Sequence, residues 1–216
     1  MIGLLFDLEG TLIKSGYQKN INLLNDLHET TKKKILNYGI PKHILKDINT
    51  SVLSRNKSYE YIIDINNEDE LNKFRTYVET FMIEYDMLSA SQCELYPHTL
   101  KILEYLKNKE YQMAIVTNTS KMATMKMLSL FDILKYFSVI ITRNDVLKLK
   151  PEPNMILKAL SQMSTIDNYF IGDSRVDVIA AKKAQIKSIL IIREKKYPKY
   201  NPDIIIKKLT DLKRFF

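Results

Sequence analysis

Ile2-Gly3-Leu4-Leu5-Phe6-Asp7-Leu8-Glu9-Gly10-Thr11 is the stretch that decides the fold. A short, nearly continuous apolar run leads into two carboxylates and then a glycine. The run does not alternate, so Ile2 to Phe6 reads as a buried strand with Gly10 as the turn behind it. Such a strand belongs in a parallel sheet covered on both faces.

Working outward, the chain supplies that sheet only after Pro97. Thr99 to Lys107 has a helical pattern and Met113 to Val116 that of a buried strand. Helix and strand then alternate: helices at Lys121–Leu130, Asn154–Met163 and Arg175–Ala184, strands at Val139–Ile141, Tyr169–Ile171 and Ser188–Ile192. Lys199 to Phe216 reads as a short strand or loop at Ile204–Ile206 and a closing helix. From Tyr17 to about Ser89 the apolar residues recur at helical spacing instead, as at Leu23, Leu24, Leu27, Ile35 and Leu36. That stretch reads as several antiparallel helices inserted after the first strand. The predicted class is α/β: a Rossmann-like parallel sheet with helices on both faces (residues 1–14 and 92–216) and an all-helical insert (residues 15–91).

The bulk numbers agree with a core plus a smaller module. The chain has 216 residues, 45% apolar and 27% charged, which is ordinary for a globular protein. One cysteine, Cys93, excludes an internal disulfide, and without a nearby histidine it reads as inert. No run approaches a membrane span. Asp7 and Glu9 interrupt the N-terminal apolar run too early for a signal peptide, so a cytoplasmic protein is expected. The net charge of +8 suits an anionic partner. The lysines are dispersed, however, and Lys32-Lys33-Lys34 reads as a solvated helix face. With no base-stacking or zinc pattern, no nucleic-acid partner is expected. The expected assembly is a monomer or homodimer.

Ligands of open parallel sheets bind at the C-terminal strand ends. Each strand is followed there by chemically useful residues. Asp7 and Glu9 follow the first, Thr117 and Asn118 the second, Lys148 and Lys150 lie beyond the third, and Asp173 and Asp177 follow the fourth. Clustered carboxylates repel, and Mg²⁺, which takes oxygen ligands, resolves the repulsion. Asp173 and Asp177 are four apart, so a helix starting at Ser174 brings them together. They would equally suit helix capping. Lys150 precedes Pro151 and should be extended, placing an ammonium where a phosphate and a carboxylate need neutralising. Its bland alternative is a solvated loop lysine, and Lys148 is a rival. Thr117 and Asn118 can donate to phosphate oxygens or simply form a turn.

These segments, in this order, resemble the motifs of the haloacid dehalogenase superfamily. Asp7-Leu8-Glu9-Gly10-Thr11 is similar to D-x-D-G-T, Thr117 to the Ser or Thr after the second strand, Lys150 to the lysine, and Gly172-Asp173-Ser174 with Asp177 to G-D-S-x-x-D. The resemblance implies a Mg²⁺-dependent phosphatase acting on a small phosphorylated metabolite: phosphoglycolate-, sugar-phosphate- or nucleotide-like. It implies Asp7 as nucleophile, through an aspartyl-phosphate, and Glu9 as general acid/base. It implies Thr117, Asn118 and Lys150 on the phosphate. It implies metal ligation by Asp7, the Glu9 backbone carbonyl and Asp173, with Asp177 a ligand or a support behind them. Glu9 departs from the usual Asp by one methylene, on the order of 1.5 Å; the enolase-phosphatase branch is similar at this point.

The insert resembles the superfamily's cap, which excludes water and selects the leaving group. Ser54-Arg55-Asn56-Lys57-Ser58 resembles the cap loop of β-phosphoglucomutase-like members. Arg55 is thus a candidate substrate contact, against the plainer reading of an exposed surface arginine. The alternatives in order are a phosphomutase, a metal-independent 2-haloacid dehalogenase and a non-catalytic binding protein on the same fold. His28, His43 and His98 show no ligand spacing and read as structural or exposed. His98 stands in a turn where related sequences often carry Gly.

Overall fold

The computed structural model describes residues 1–65, 68–193 and 200–216. Its elements in chain order begin with β1 (Ile2–Phe6), β2 (Ile13–Lys14), α1 (Gly16–Lys19), α2 (Ile21–Tyr38), α3 (Ser51–Asp64) and α4 (Glu68–Ser91). Then follow β3 (Glu94–Leu95), α5 (Thr99–Asn108), β4 (Gln112–Val116), α6 (Lys121–Leu130), β5 (Val139–Ile141) and α7 (Asn154–Leu160). The last are β6 (Asp167–Gly172), α8 (Arg175–Lys183), β7 (Lys187–Ile191) and β8 (Ile204–Ile206). The chain divides into two units, Met1–Ser15 with Cys93–Phe216, and Gly16–Gln92. Among the described residues no helix is long and apolar enough to cross a membrane.

The first unit is built on a six-stranded sheet of order β5-β4-β1-β6-β7-β8, parallel throughout. The apolar run at the N-terminus takes a central place because Leu4, Leu5 and Phe6 have no exposed surface. Phe6 is in register with Ile115 of β4 on one side and Ile171 of β6 on the other. From β1 the chain goes outward through β4 and β5, then returns to lay β6, β7 and β8 on the opposite side. The winding therefore reverses at β1. In sheets of this kind the crevice for a ligand opens at the C-terminal strand ends beside that reversal. Asp7 is the first residue past β1.

Three local features differ from the sequence reading. Strands β2 and β3 form a small antiparallel ribbon, which two residues apiece are too short to announce. The helix expected to reach Met163 ends at Leu160. There the N–H groups of Gln162 and Met163 bond three residues back, to Ala159 and Leu160, and tighten the last turn into 3₁₀ geometry. The closing helix is a 3₁₀ segment, Leu209–Arg214; the Asp211 carboxylate accepts the Lys207 and Lys208 N–H groups at its start. Lys199, the expected start of that closing segment, lies outside the described residues. His98 has φ 69° in the turn before α5, the left-handed conformation that explains a glycine preference there.

The second unit is helical. The Asn20 side chain accepts the Asn22 N–H to open α2, Gly39 closes it at φ 113°, and the Thr50 hydroxyl accepts the Leu53 N–H to open α3. These are the residue types that helix ends select. Tyr38, Tyr59, Phe74, Tyr77 and Phe81 pack ring against ring at centroid distances of 4.9–5.9 Å. Lys32, in the lysine run, donates to the Ile48 carbonyl at 2.9 Å. The surface reading of Arg55 is corrected here. Arg55 is 0% exposed, its guanidinium lies 4.4 Å from the Tyr59 ring centroid, and Nη2 is 3.6 Å from Glu79 Oε1. The cause is that α3 buries a polar stripe, with Ser51, Ser54, Asn56 and Ser58 also buried.

Candidate active site

The site is assembled from four strand ends of the first unit. Asp7 continues the ladder of β1, its N–H donating to the Ile171 carbonyl at 2.9 Å, so its backbone is fixed by the sheet itself. Lys150 Nζ lies 2.7 Å from Asp7 Oδ1 and 2.7 Å from Asp177 Oδ1, and the lysine is 1% exposed. This is a buried ammonium bridging two carboxylates. Of the two candidate lysines, Lys150 is the one shown in contact with Asp7 and Asp177. Its backbone is clamped by Asn118, whose Nδ2 donates to the Lys150 carbonyl and whose Oδ1 accepts the Lys150 N–H, both at 3.1 Å. The side-chain amide expected beside a phosphate is turned onto the lysine's main chain.

The capping reading of Asp177 holds in the geometry. It occupies the first turn of α8, where Oδ2 accepts the Ser174 N–H at 3.1 Å and the Ser174 hydroxyl, a capping box. Its other oxygen takes Lys150. Asp7, Asp173 and Asp177 also bring one carboxylate oxygen each to within 4.8 Å of one another. Thr11 Oγ1 stands 3.5 Å from both Asp7 Oδ2 and Asp173 Oδ1. Gly10 is required beside them: at φ +89°, an added Cβ would fall 2.2 Å from Asp173 Oδ2.

The electrostatics follow from burial. Burial pushes the Asp7 carboxyl well above the ordinary carboxylate range; Lys150 opposes this, while Asp177 and Asp173 add to it. Burial and then the Asp177 charge push Asp173 up to about 7, against the pull of Lys150 and Arg193. Burial alone would lower Lys150, but Asp177 and Asp7 outweigh it and hold the ammonium above its usual pKa. Among the described residues, the Lys150 ammonium and the Arg193 guanidinium thus act on three carboxylates at the end of the central strand. The donor set is all oxygen, which suits a hard divalent cation, and an added cation would return the raised carboxyls to their charged forms.

Glu9 is reached from β4. The Thr119 hydroxyl donates to Glu9 Oε2, the Thr117 hydroxyl donates to Thr119 Oγ1 at 3.1 Å, and the Thr119 N–H returns to Thr117 Oγ1 at 3.3 Å. Asp7, Lys150, Asp173 and Asp177 are thus gathered directly, Asn118 through Lys150, and Thr117 and Glu9 through Thr119. Arg55 belongs to the helical unit, Gly16–Gln92. Two participants carry no role in the sequence reading. Thr119 is two residues past Thr117, and Arg193 follows the apolar run of β7. Arg193 donates to the Gly10 carbonyl and, at 2.7 Å, to the Thr11 carbonyl, with its guanidinium 3.4 Å from the Tyr96 ring centroid. Both strand-end positions were the available signal.

Fold and site together define an α/β enzyme with a buried carboxylate–ammonium centre where its sheet reverses. Residues 4–191 match the family model of haloacid dehalogenase-like hydrolases. Phosphoglycolate phosphatase of Aquifex aeolicus is 30% identical over 97% of this chain and 93% of its own. Pyrophosphatase PpaX of Oceanobacillus iheyensis is 26% identical over 97% and 94%. The crystal structure of a haloacid dehalogenase superfamily phosphatase from Thermococcus onnurineus superposes with a TM-score of 0.62 at 25% identity, covering 100% of this chain and 97% of that one. The chain belongs to the haloacid dehalogenase-like hydrolase family and is a hydrolase of the phosphatase-like kind.

Proposed function

We propose that this protein hydrolyses small phosphomonoesters with Mg²⁺, through a phosphorylated Asp7. The observation that carries the proposal is Asp7 at the end of the central strand, held at 2.7 Å by Lys150 and flanked by Asp173 and Asp177. In the first step an Asp7 oxygen bonds to phosphorus as the bond from phosphorus to the leaving oxygen breaks. Glu9 gives that oxygen its proton. In the second step Glu9 takes a proton from water as the water oxygen bonds to phosphorus, and the Asp7–phosphorus bond breaks to release phosphate. Asp7 needs no separate base, since a carboxylate is already a nucleophile once ionised.

Asp7, Asp173 and the Glu9 backbone carbonyl would hold the Mg²⁺, which when bound supplies positive charge to the transferring group. Asp177, with its oxygens on Ser174 and Lys150, would support this set from behind. Lys150 and the Thr117 hydroxyl would take the phosphate oxygens, with Asn118 holding Lys150 in place. The helical insert would serve as the cap that selects the leaving group. The relatives named phosphoglycolate phosphatase and pyrophosphatase support a small phosphorylated substrate, of the phosphoglycolate, sugar-phosphate or nucleotide class.

The test is phosphate release from a panel of phosphomonoesters, with and without Mg²⁺, by the native protein and by Asp7→Asn. The expected result is metal-dependent release that Asp7→Asn lowers by roughly 10⁴-fold or more, with thermal unfolding still cooperative. Release that survives Asp7→Asn would remove the aspartyl-phosphate route.

A further inference from the structure

We infer that Thr119 is a positioning residue for Glu9, a partner that fits the longer carboxylate to the acid/base role. The inference rests on the phosphatase reading above and concerns a residue that reading does not use. A glutamate in place of aspartate adds a rotatable bond and moves the carboxylate outward. Something must then fix its end, because proton transfer requires a hydrogen-bonding geometry within a few tenths of an ångström. Thr119 fills that need. Its hydroxyl meets Glu9 Oε2 across 110 residues of sequence, from the loop after β4 to the loop after β1.

The direction of the bond is settled by what surrounds it. Thr119 is 5% exposed. Its carbonyl accepts the Arg143 N–H at 3.0 Å, and its N–H is bonded to Thr117 Oγ1. Its own Oγ1 already accepts the Thr117 hydroxyl, so its hydrogen is directed to Glu9. Without substrate the bonds run one way, Thr117 to Thr119 to Glu9; when the Thr117 hydroxyl turns to a phosphate oxygen, the Thr119 hydroxyl keeps the Glu9 carboxylate as its acceptor. A turn-forming threonine alone would account for the bond between Thr117 and Thr119. It would not account for the one that crosses to Glu9. Throughout the reaction the Thr119 proton stays on Thr119; the proton that moves is the one Glu9 gives to the leaving oxygen and recovers from water.

The experiment uses the full chain with Mg²⁺ and compares Thr119→Val, Thr119→Ser and the native protein on two esters: the best alkyl phosphate of the panel and p-nitrophenyl phosphate. An alkoxide needs protonation to leave, whereas p-nitrophenolate does not. With Thr119→Val, kcat on the alkyl ester should fall roughly 10- to 100-fold with KM within about twofold. The aryl ester should give a burst of p-nitrophenolate equal to the enzyme present, because only the hydrolysis of phosphorylated Asp7 then lacks its base. Thr119→Ser should restore turnover to within about threefold. In a Glu9→Gln background, Thr119→Val should cost nothing further, the signature of one residue acting through the other. If Thr119→Val does not fold, Thr119→Ala takes its place in the same comparison. Native turnover of the alkyl ester by Thr119→Val, or equal loss on both esters without a burst, overturns the inference and leaves the phosphatase reading intact. Absence of Asp7-dependent turnover by the native protein overturns that reading, and this inference with it.

Discussion

Replacing Lys150 by Met tests the electrostatic core of the site. The change keeps the length and apolar stem of the side chain but removes the ammonium that lies 2.7 Å from both Asp7 and Asp177. Two buried carboxylates then face each other uncompensated. Removing one member of a buried ion pair typically costs about 3–5 kcal/mol. For a chain of this size each kcal/mol lowers the melting temperature by about 2–4 °C, so a fall of roughly 10 °C is expected for the metal-free protein at pH 8. The loss should shrink towards pH 5. Burial, joined by the Asp177 and Asp173 charges, already raises Asp7; without Lys150 it rises further, so its proton stays bound over a wider acid range and relieves the repulsion. The assay is thermal unfolding of both proteins between pH 5 and pH 8, with Asp177→Asn added as a second change. The new side-chain amide can still accept from Ser174, and the double variant should recover most of the stability at pH 8. A loss that is equal at both pH values and untouched by Asp177→Asn would refute the argument, because only packing would then have been lost.

Asp173 gives a second pH prediction. Its carboxyl is raised from 3.8 to about 7, first by burial and then by Asp177. Between those values the folded protein binds a proton that the unfolded chain releases, so metal-free stability should decline as pH rises from about 4 to 7 and then level off. Mg²⁺ competes with that proton, so its thermal stabilisation should be larger at pH 8 than at pH 5.5; equal stabilisation would count against Asp173 as a ligand. Arg193→Ala should cost about 1–3 kcal/mol in urea unfolding, because the guanidinium bonds two consecutive carbonyls of the Asp7–Thr11 loop. Arg193→Lys should not restore it, since an ammonium lacks the planar fork.

The parallel sheet is legible because its strands are buried on both faces and therefore written in unbroken apolar letters, as at Ile2–Phe6 and Met113–Val116. The carboxylates and Lys150 are legible because strand ends say where to look. The illegible parts share a different cause. Helix α3 buries serines, an asparagine and Arg55, and hydropathy has no sign for a polar face that is buried. Asn118 reads as a donor to phosphate because sequence gives the group but not its aim, which is Lys150. Thr119 matters through one bond to a residue far away in the chain, and no local pattern marks such a bond. Arg193 is of the same kind.

The order of the sheet also has a consequence for how the molecule comes into being. Asp7 and Lys150 are 143 residues apart in the chain, and Thr11 and Asp173 are 162 apart. The first strand must wait for β4 and then β6 before both its edges are paired. A topology dominated by such distant pairings folds slowly. During synthesis Asp7 is made before Lys150, Asp173 and Asp177, and it acquires them as neighbours only once they have followed. An unfinished or clipped chain ending before β6 carries Asp7 but lacks Asp173 and Asp177, so it holds the proposed nucleophile without its two carboxylate neighbours. On the proposed mechanism, turnover would therefore begin only after β6 and α8 have been made.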